Sequence, residues 1–323
     1  MSDIQQTEPG KPTGSTSTRT ISKAESARLM RMATYASTAT AAILIAAKLV
    51  AWLWTDSVSI LATLIDSTLD IAASIVNLLA VRHALEPADR EHRFGHGKDE
   101  ALAGLGQSTF IAGSAGFLLL EAFARFFHPQ SVNGINVGIG VMIFSIAATL
   151  VLLAIQRHVV ARTGSTAIKA DALHYKTDVL VNGSVIAALL LAAYGWQGFD
   201  SLFALGIAVF ILYSAWEIAQ EAIGDLMDKE LPDEERARIH DIVLAQKHVK
   251  GMHDLRTRRS GTTTFIQLHL ELADDLTLKR AHAISDAVEA RIFKSYPDSE
   301  IIIHEDPASI VEPAQDFDED AQP

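Results

Sequence analysis

The chain has 323 residues, 49% of them hydrophobic, a formal net charge of −12 and no cysteine. Without cysteine there are no disulfides, thiolate zinc sites or iron–sulfur clusters, and the acidic balance argues against a nucleic-acid partner. The apolar residues fall in runs of about 20, the length that crosses a bilayer, so the lipid bilayer is the first expected partner.

In chain order, residues 1–28 are rich in Ser, Thr, Pro and Gly and read as a disordered tail. They contain no apolar h-region, so no cleavable signal peptide is expected. The first span runs from Met30 to Trp54, with Lys48 placed to snorkel among Trp52 and Trp54. The second, about Ser57 to Leu85, puts Ser59, Thr63, Asp66, Asp70 and Asn77 on one helical stripe. Two aspartates on that stripe favour a polar pathway over a hydroxyl-bonded helix contact. A charged loop, Glu86 to Lys98, is closed by glycines.

The third span, Lys98 to Phe127, carries Gly104, Gly106, Gly113 and Gly116, which allow close helix contact. The fourth, Val137 to Ile155, is uncharged and is expected to face lipid, followed by a basic loop at Arg157, His158 and Arg162. The fifth, Thr166 to Tyr194, places Asp171, His174, Asp178 and Asn182 on one face; the sixth ends near Gly224. Lys and Arg lie in the short loops after spans two and four and not in those after one, three and five, which predicts cytoplasmic termini.

From Asp228 the composition turns soluble. A helix is expected over Pro232–Ala245, strands over Met252–Ser260 and Thr263–Leu272, a helix over Leu278–Tyr296 and a strand over Glu300–His304. The order αββαβ makes a small α+β domain. The predicted organisation is a tail (1–28), an all-α six-helix transmembrane bundle (29–227), a cytoplasmic domain (228–307) and an acidic disordered tail (308–323).

Two pairs of ionisable residues carry the chemistry. Asp66 with Asp70, and His174 with Asp178, are each spaced i, i+4, so each pair shares one helix face. A charge at bilayer depth costs roughly 2.5–3.5 kcal/mol on insertion scales, so three carboxylates need a partner. Three carboxylates and one imidazole suit Zn²⁺, Fe²⁺, Mn²⁺ or Cd²⁺, and four ligands favour tetrahedral zinc. Ligands must be deprotonated to bind, so metal and protons compete, with imidazole titrating near pH 6.5 when unperturbed. Expelling a divalent cation against a negative-inside potential costs roughly 4.6 kcal/mol at 100 mV. The chain has no G-x-x-x-x-G-K-[ST] phosphate loop, so nucleotide is not an expected partner and inward-moving protons are the economical driving force.

Six segments carry a family resemblance: Asp66-x-x-x-Asp70, Phe94-Gly-His-Gly-Lys98, His174-x-x-x-Asp178, Asp228-Lys-Glu-Leu-Pro232, His253–Arg258 and Ile302-Ile-His304-Glu-Asp306. In this order and register, over about residues 30–308, the chain resembles the cation diffusion facilitator family, in particular its prokaryotic zinc, iron and cadmium subgroup. The resemblance implies a homodimer in the bacterial inner membrane that exports divalent metal by proton antiport with alternating access, and a metallochaperone-like C-terminal domain. It implies a transport site of Asp66, Asp70, His174 and Asp178, and a loop site of Asp89, His92 and His96. A C-terminal metal site of His253, His269, His282, His304 and Asp306 at the dimer interface follows too, as does a charge interlock of Lys98 with Asp228. The strand pattern agrees: His269 lies opposite the apolar face of its strand, and His304 and Asp306 share a face of theirs. Glu305, between them, leaves the charge of that site open. Competing readings are a passive divalent-cation channel or uniporter and a membrane-anchored metal sensor without flux. No nucleophile–base pair supports an enzyme.

Overall fold

The computed structural model describes residues 23–55, 58–127, 135–193 and 199–310, without the side chains of several helical stretches, Asp66, Ser59 and Thr63 among them. The first half is helical: α1 (Lys23–Thr55), α2 (Val58–Ala84), α3 (Lys98–Phe127), α4 (Ile135–Thr163), α5 (Thr166–Ala193) and α6 (Phe199–Leu226). Among the described residues, four segments are long and apolar enough to cross a membrane: Lys23–Trp54, Lys98–Leu120, Gly140–Thr163 and Phe203–Leu226. They belong to α1, α3, α4 and α6. The other two helices, α2 and α5, are those that bear the ionisable pairs.

Helix α5 runs through the middle of the bundle. On one side Ala170 and Leu173 join Ile111 and Ala115 of α3 and Ile211, Ala215 and Ile218 of α6 in a buried cluster. On another, Ala167 and Ile168 pack with Met30 and Ala33 of α1, Val81 of α2 and Val159 of α4. Its first turn faces the buried Glu100 of α3, which lies near Ser165 and the backbone N–H groups of Thr166 and Ala167, where a helix start leaves donors open. Lys169 pairs with Glu221 of α6.

Two expectations are corrected at helix ends. Residues 23–28, read as tail, form the first turns of α1, because tertiary contacts hold them: Glu25 pairs with Arg162 at 3.2 Å, and the Lys23 backbone N–H donates to Asp298 at 3.2 Å. The expected basic loop at 157–162 is the last part of α4, which ends at Thr163 just before Gly164, at φ +65°. Gln156 and Val159 are fully buried there, and Arg162 sits where a helix C-terminus favours cations.

The second half adds α7 (Asp233–Leu244), β1 (Gly251–Ser260), β2 (Thr263–Leu272), α8 (Leu278–Ser295) and β3 (Ser299–Pro307). β1 pairs antiparallel with β2, and β2 parallel with β3. One face of this sheet (Ile266, Leu268, Leu270, Leu272) packs on Ile239 and Val243 of α7 and Ile284, Val288 and Ile292 of α8. The other carries the polar residues of each strand. Residues 308–310, read as tail, turn back on the domain, the Ala308 N–H donating to Leu272 at 2.7 Å; the rest of that tail lies outside the described residues.

The halves meet where the α2–α3 loop touches the β1–β2 turn. A Cβ on Gly97 would collide with the Ser260 carbonyl, and Gly261, at φ +56°, lies against Gly97. Phe94 and Phe265 meet edge to face at 5.9 Å, with the Arg258 guanidinium 5.3 and 4.0 Å from the two rings.

Candidate metal centres

Inside the bundle, α2 and α5 bring Asp70, His174 and Asp178 together, with one potential ligand atom from each lying within 4.8 Å of the others. His174 Nε2 is 3.1 Å from Asp70 Oδ1, and the two side chains are only 9% and 13% exposed. The i, i+4 spacing on α5 aims His174 and Asp178 at the same point. Asp66 lies one turn before Asp70 on α2, but its side chain is outside the described residues. Packing fixes the imidazole further: Tyr175 lies 5.4 Å from the His174 ring, and its hydroxyl is 2.8 Å from Ser74 Oγ. Such a cluster of oxygens and one nitrogen suits a divalent cation of the zinc or iron kind.

Asp171, expected on the same polar face, does not join this cluster. It is fully buried, and its two oxygens accept N–H groups from Gln107 of α3 at 3.1 Å and Gln156 of α4 at 2.8 Å. Nothing in the spacing of Asp171 distinguishes it from a ligand, because its partners come from distant helices.

In the α2–α3 loop, Asp89, His92 and His96 again present atoms within 4.8 Å of one another. Asp89 Oδ1 accepts the backbone N–H groups of His92 at 2.6 Å and Glu91 at 2.8 Å. The His92 N–H above all holds the Asp89 carboxyl below the usual carboxylate range, which keeps Oδ2 ionised beside His96 Nε2 at 3.4 Å.

The third group is on the uncovered face of the sheet: His253, His269 and Asp306. Register explains it. His253 stands opposite His269, His269 opposite His304, and Glu271 opposite Asp306. Asp306 Oδ2 is 2.7 Å from His269 Nδ1 and 3.5 Å from His253 Nε2, and its Oδ1 is 3.2 Å from His304 Nε2. Two acids missed by sequence reasoning complete the group. Glu271 Oε1 lies 3.0 Å from His253 Nδ1, and Asp254 Oδ2 lies 3.7 Å from His269 Nε2. Asp254 reaches this face because the strand slips register between His253 and Arg256, with Asp254 at φ +47°. His282 stands apart on α8, 71% exposed and 3.6 Å from Asp286. Glu305 points to the core side, where it accepts the Ser285 hydroxyl at 2.7 Å; its charge is turned away from the histidines.

Lys98 Nζ lies 3.0 Å from Asp228 Oδ1 and donates to the Leu226 carbonyl at 3.0 Å. Arg258 adds a third charge to this pair, 3.3 Å from the same Asp228 oxygen.

Two family profiles match the chain: the cation efflux transmembrane domain over residues 34–227 and the cation efflux protein cytoplasmic domain over residues 231–308. A Klebsiella pneumoniae protein named cation-efflux pump FieF is 51% identical over 288 residues, covering 89% of this chain and 96% of its own. The protein of the same name from Salmonella agona is 52% identical over 284 residues, covering 88% and 95%. The solved metal-bound C-terminal domain of the CzcD transporter from Thermotoga maritima is 28% identical, covering 25% of this chain and 100% of its own, with a TM-score of 0.23.

Proposed function

The chain belongs to the cation efflux, or cation diffusion facilitator, family, and on that premise we propose that it exports Zn²⁺ or Fe²⁺, with Cd²⁺ and Mn²⁺ as further substrates, in exchange for protons. It is a membrane protein of the divalent-metal efflux class, not an enzyme. The observation that carries the proposal is the convergence of Asp70, His174 and Asp178 from two helices inside an apolar bundle. Asp66 is the natural fourth ligand, one turn along α2 and on the same face.

Bound metal displaces protons from these groups, and arriving protons displace metal. A site whose helices tilt so that it opens alternately to either side of the bilayer therefore exchanges one for the other. Helix α5, wedged between the α3–α6 cluster and the α1–α2–α4 cluster, is the element whose shift would change access. Lys98, Asp228 and Arg258 act as a charge interlock that fixes register between the halves of the protein, a use for which ion pairs serve better than for stability.

The C-terminal domain is read as a metal sensor and dimerisation unit. His253, His269 and Asp306, with His304 beside them, fit zinc by donor type. Metal there would supply a cross-link between strands and subunits. Because α8 covers the opposite face of the sheet, His282 joins such a site only if a second subunit supplies it, which ties metal occupancy to a homodimer. The loop site of Asp89, His92 and His96 is a second cytoplasmic reservoir of ligands. The same reading puts the protein in the bacterial inner membrane with both termini cytoplasmic, supported by Lys and Arg in the loop after α2 and at the end of α4.

Proteoliposome exchange tests the proposal. Asp70→Ala or Asp178→Ala should eliminate metal-dependent proton release while leaving the chain folded; retained exchange would contradict the site. A passive channel is the second reading, favoured if metal flux survives without proton movement.

A further inference from the structure

Outside the three metal clusters, α1 and the end of α2 flank a groove of about 360 Å³ lined by Arg31, Thr34, Tyr35, Leu78, Arg82 and Glu86, whose Glu86 end adjoins the loop cluster through His83, 4.5 Å from the His96 ring. We infer that this groove binds the phosphate headgroup of an anionic glycerophospholipid from the leaflet on the side of the C-terminal domain.

α1 starts beside the C-terminal domain, where the Lys23 ammonium donates to Thr263 at 3.2 Å. Arg31 is two turns further on and is the last charge of α1 before an apolar run that continues to Lys48. Arg82 lies in the last turn of the antiparallel α2. Both guanidiniums therefore stand where the helices leave the hydrocarbon on that side. Tyr35, 58% exposed, is the kind of amphipathic ring that settles at this depth.

Both arginines are exposed, and among the described residues neither guanidinium has an ion-pair or hydrogen-bond partner. Glu86, the acid in the groove, is itself 3.8 Å from His83. Two arginines and one carboxylate leave a net charge of +1, which matches the single negative charge of a phosphodiester. The guanidinium is suited to a forked grip on phosphate oxygens, and basic side chains at a membrane surface favour anionic lipid.

Thr34 is buried at the base, its hydroxyl shared between the Arg31 carbonyl at 3.0 Å and the Met30 carbonyl at 3.2 Å, and would have to turn from them to donate to a ligand. Continuing the same helix faces into the bilayer, α1 offers Ala39 and Ala42 and α2 offers Ile75, all exposed. Small residues beside an isoleucine leave a shallow apolar track that an acyl chain would follow. A soluble phosphate finds the same charges but no use for this track, which commits the site to lipid.

The test uses the full chain, stripped of lipid in detergent and titrated with short-chain phosphatidylglycerol, short-chain phosphatidylcholine or inorganic phosphate, with bound lipid read by native mass spectrometry. Phosphatidylglycerol should bind about tenfold tighter than phosphatidylcholine. That preference should vanish in R31Q/R82Q, fall in the single variant R31Q, and persist in R90Q/R157Q, which removes two charges elsewhere. Equal binding of the two lipids by the unaltered chain would overturn the inference without any variant. So would a preference unchanged in R31Q, or displacement of phosphatidylglycerol by equimolar inorganic phosphate. None of these outcomes bears on metal exchange.

Discussion

Gly97→Ala probes the joint between the two halves of the protein. The added Cβ would lie inside contact distance of the carbonyl carbon and oxygen of Ser260 as well as its Oγ. The first two are backbone atoms, so no rotamer change relieves the clash. Accepting it costs about 1–3 kcal/mol, the usual range for overpacking. The escape is to part the loop from the β1–β2 turn. That forfeits the edge-to-face contact of Phe94 with Phe265, about 0.5–1.5 kcal/mol, and the guanidinium of Arg258 over both rings, about 0.5–1 kcal/mol. The two routes cost about the same, so the variant should hold the joined and parted states in comparable amounts, a shift of about 1–2 kcal/mol from the unaltered chain that raises the parted population near tenfold. Hydrogen–deuterium exchange on the full chain reads this directly. Amides of residues 94–98 and 260–264 should exchange about tenfold faster. Residues 266–270 should not change, because Ile266, Leu268 and Leu270 are buried within the C-terminal domain itself. Unchanged exchange on both sides of the joint, or an equal rise throughout the domain, would refute the reasoning.

Two further outcomes follow from buried polar groups. Asp171→Ala leaves the amides of Gln107 and Gln156 without their acceptor, and at about 1–3 kcal/mol per unsatisfied buried group thermal unfolding in detergent should fall by several degrees. Asp171→Asn should cost less than half as much, since its new amide can donate to Gln156 Oε1, a buried atom without a hydrogen-bond partner among the described residues. In the C-terminal domain, Glu271→Gln removes the carboxylate that orients His253, and zinc affinity measured by calorimetric titration in an Asp178→Ala background should drop by about 10–100-fold. His282→Ala, in the same titration under conditions that keep the chain monomeric, should change affinity less than twofold.

The helices and the intramembrane cluster were legible because both depend on periodicity along one segment. The i, i+4 pairs on α2 and α5 needed only the assumption that their helices are neighbours. What stayed hidden depends on contacts between segments distant in sequence. Asp171 looks like a ligand on its helix and becomes a structural acceptor only once α3 and α4 bring Gln107 and Gln156 to it. Glu271 and Asp254 were hidden for a related reason: strand register, and a local slip at Asp254, decide which acids face the histidines. Glu305 was ambiguous for want of the same register, and Ser285 of α8 settles its direction. The early start of α1 depends on Arg162 and Asp298, far along the chain, where the tail's own composition signals disorder.

The central claim is that one buried cluster couples metal movement to protons. It is tested most directly by proteoliposomes holding the full chain, with equal Zn²⁺ on both sides and no membrane potential, to which a pH gradient alone is applied. The account predicts that zinc accumulates in the more acidic compartment, against its own growing gradient, and that Asp178→Ala abolishes the accumulation. Zinc that remains equal on both sides of the membrane while tracer exchange proceeds would contradict it and leave a passive pathway.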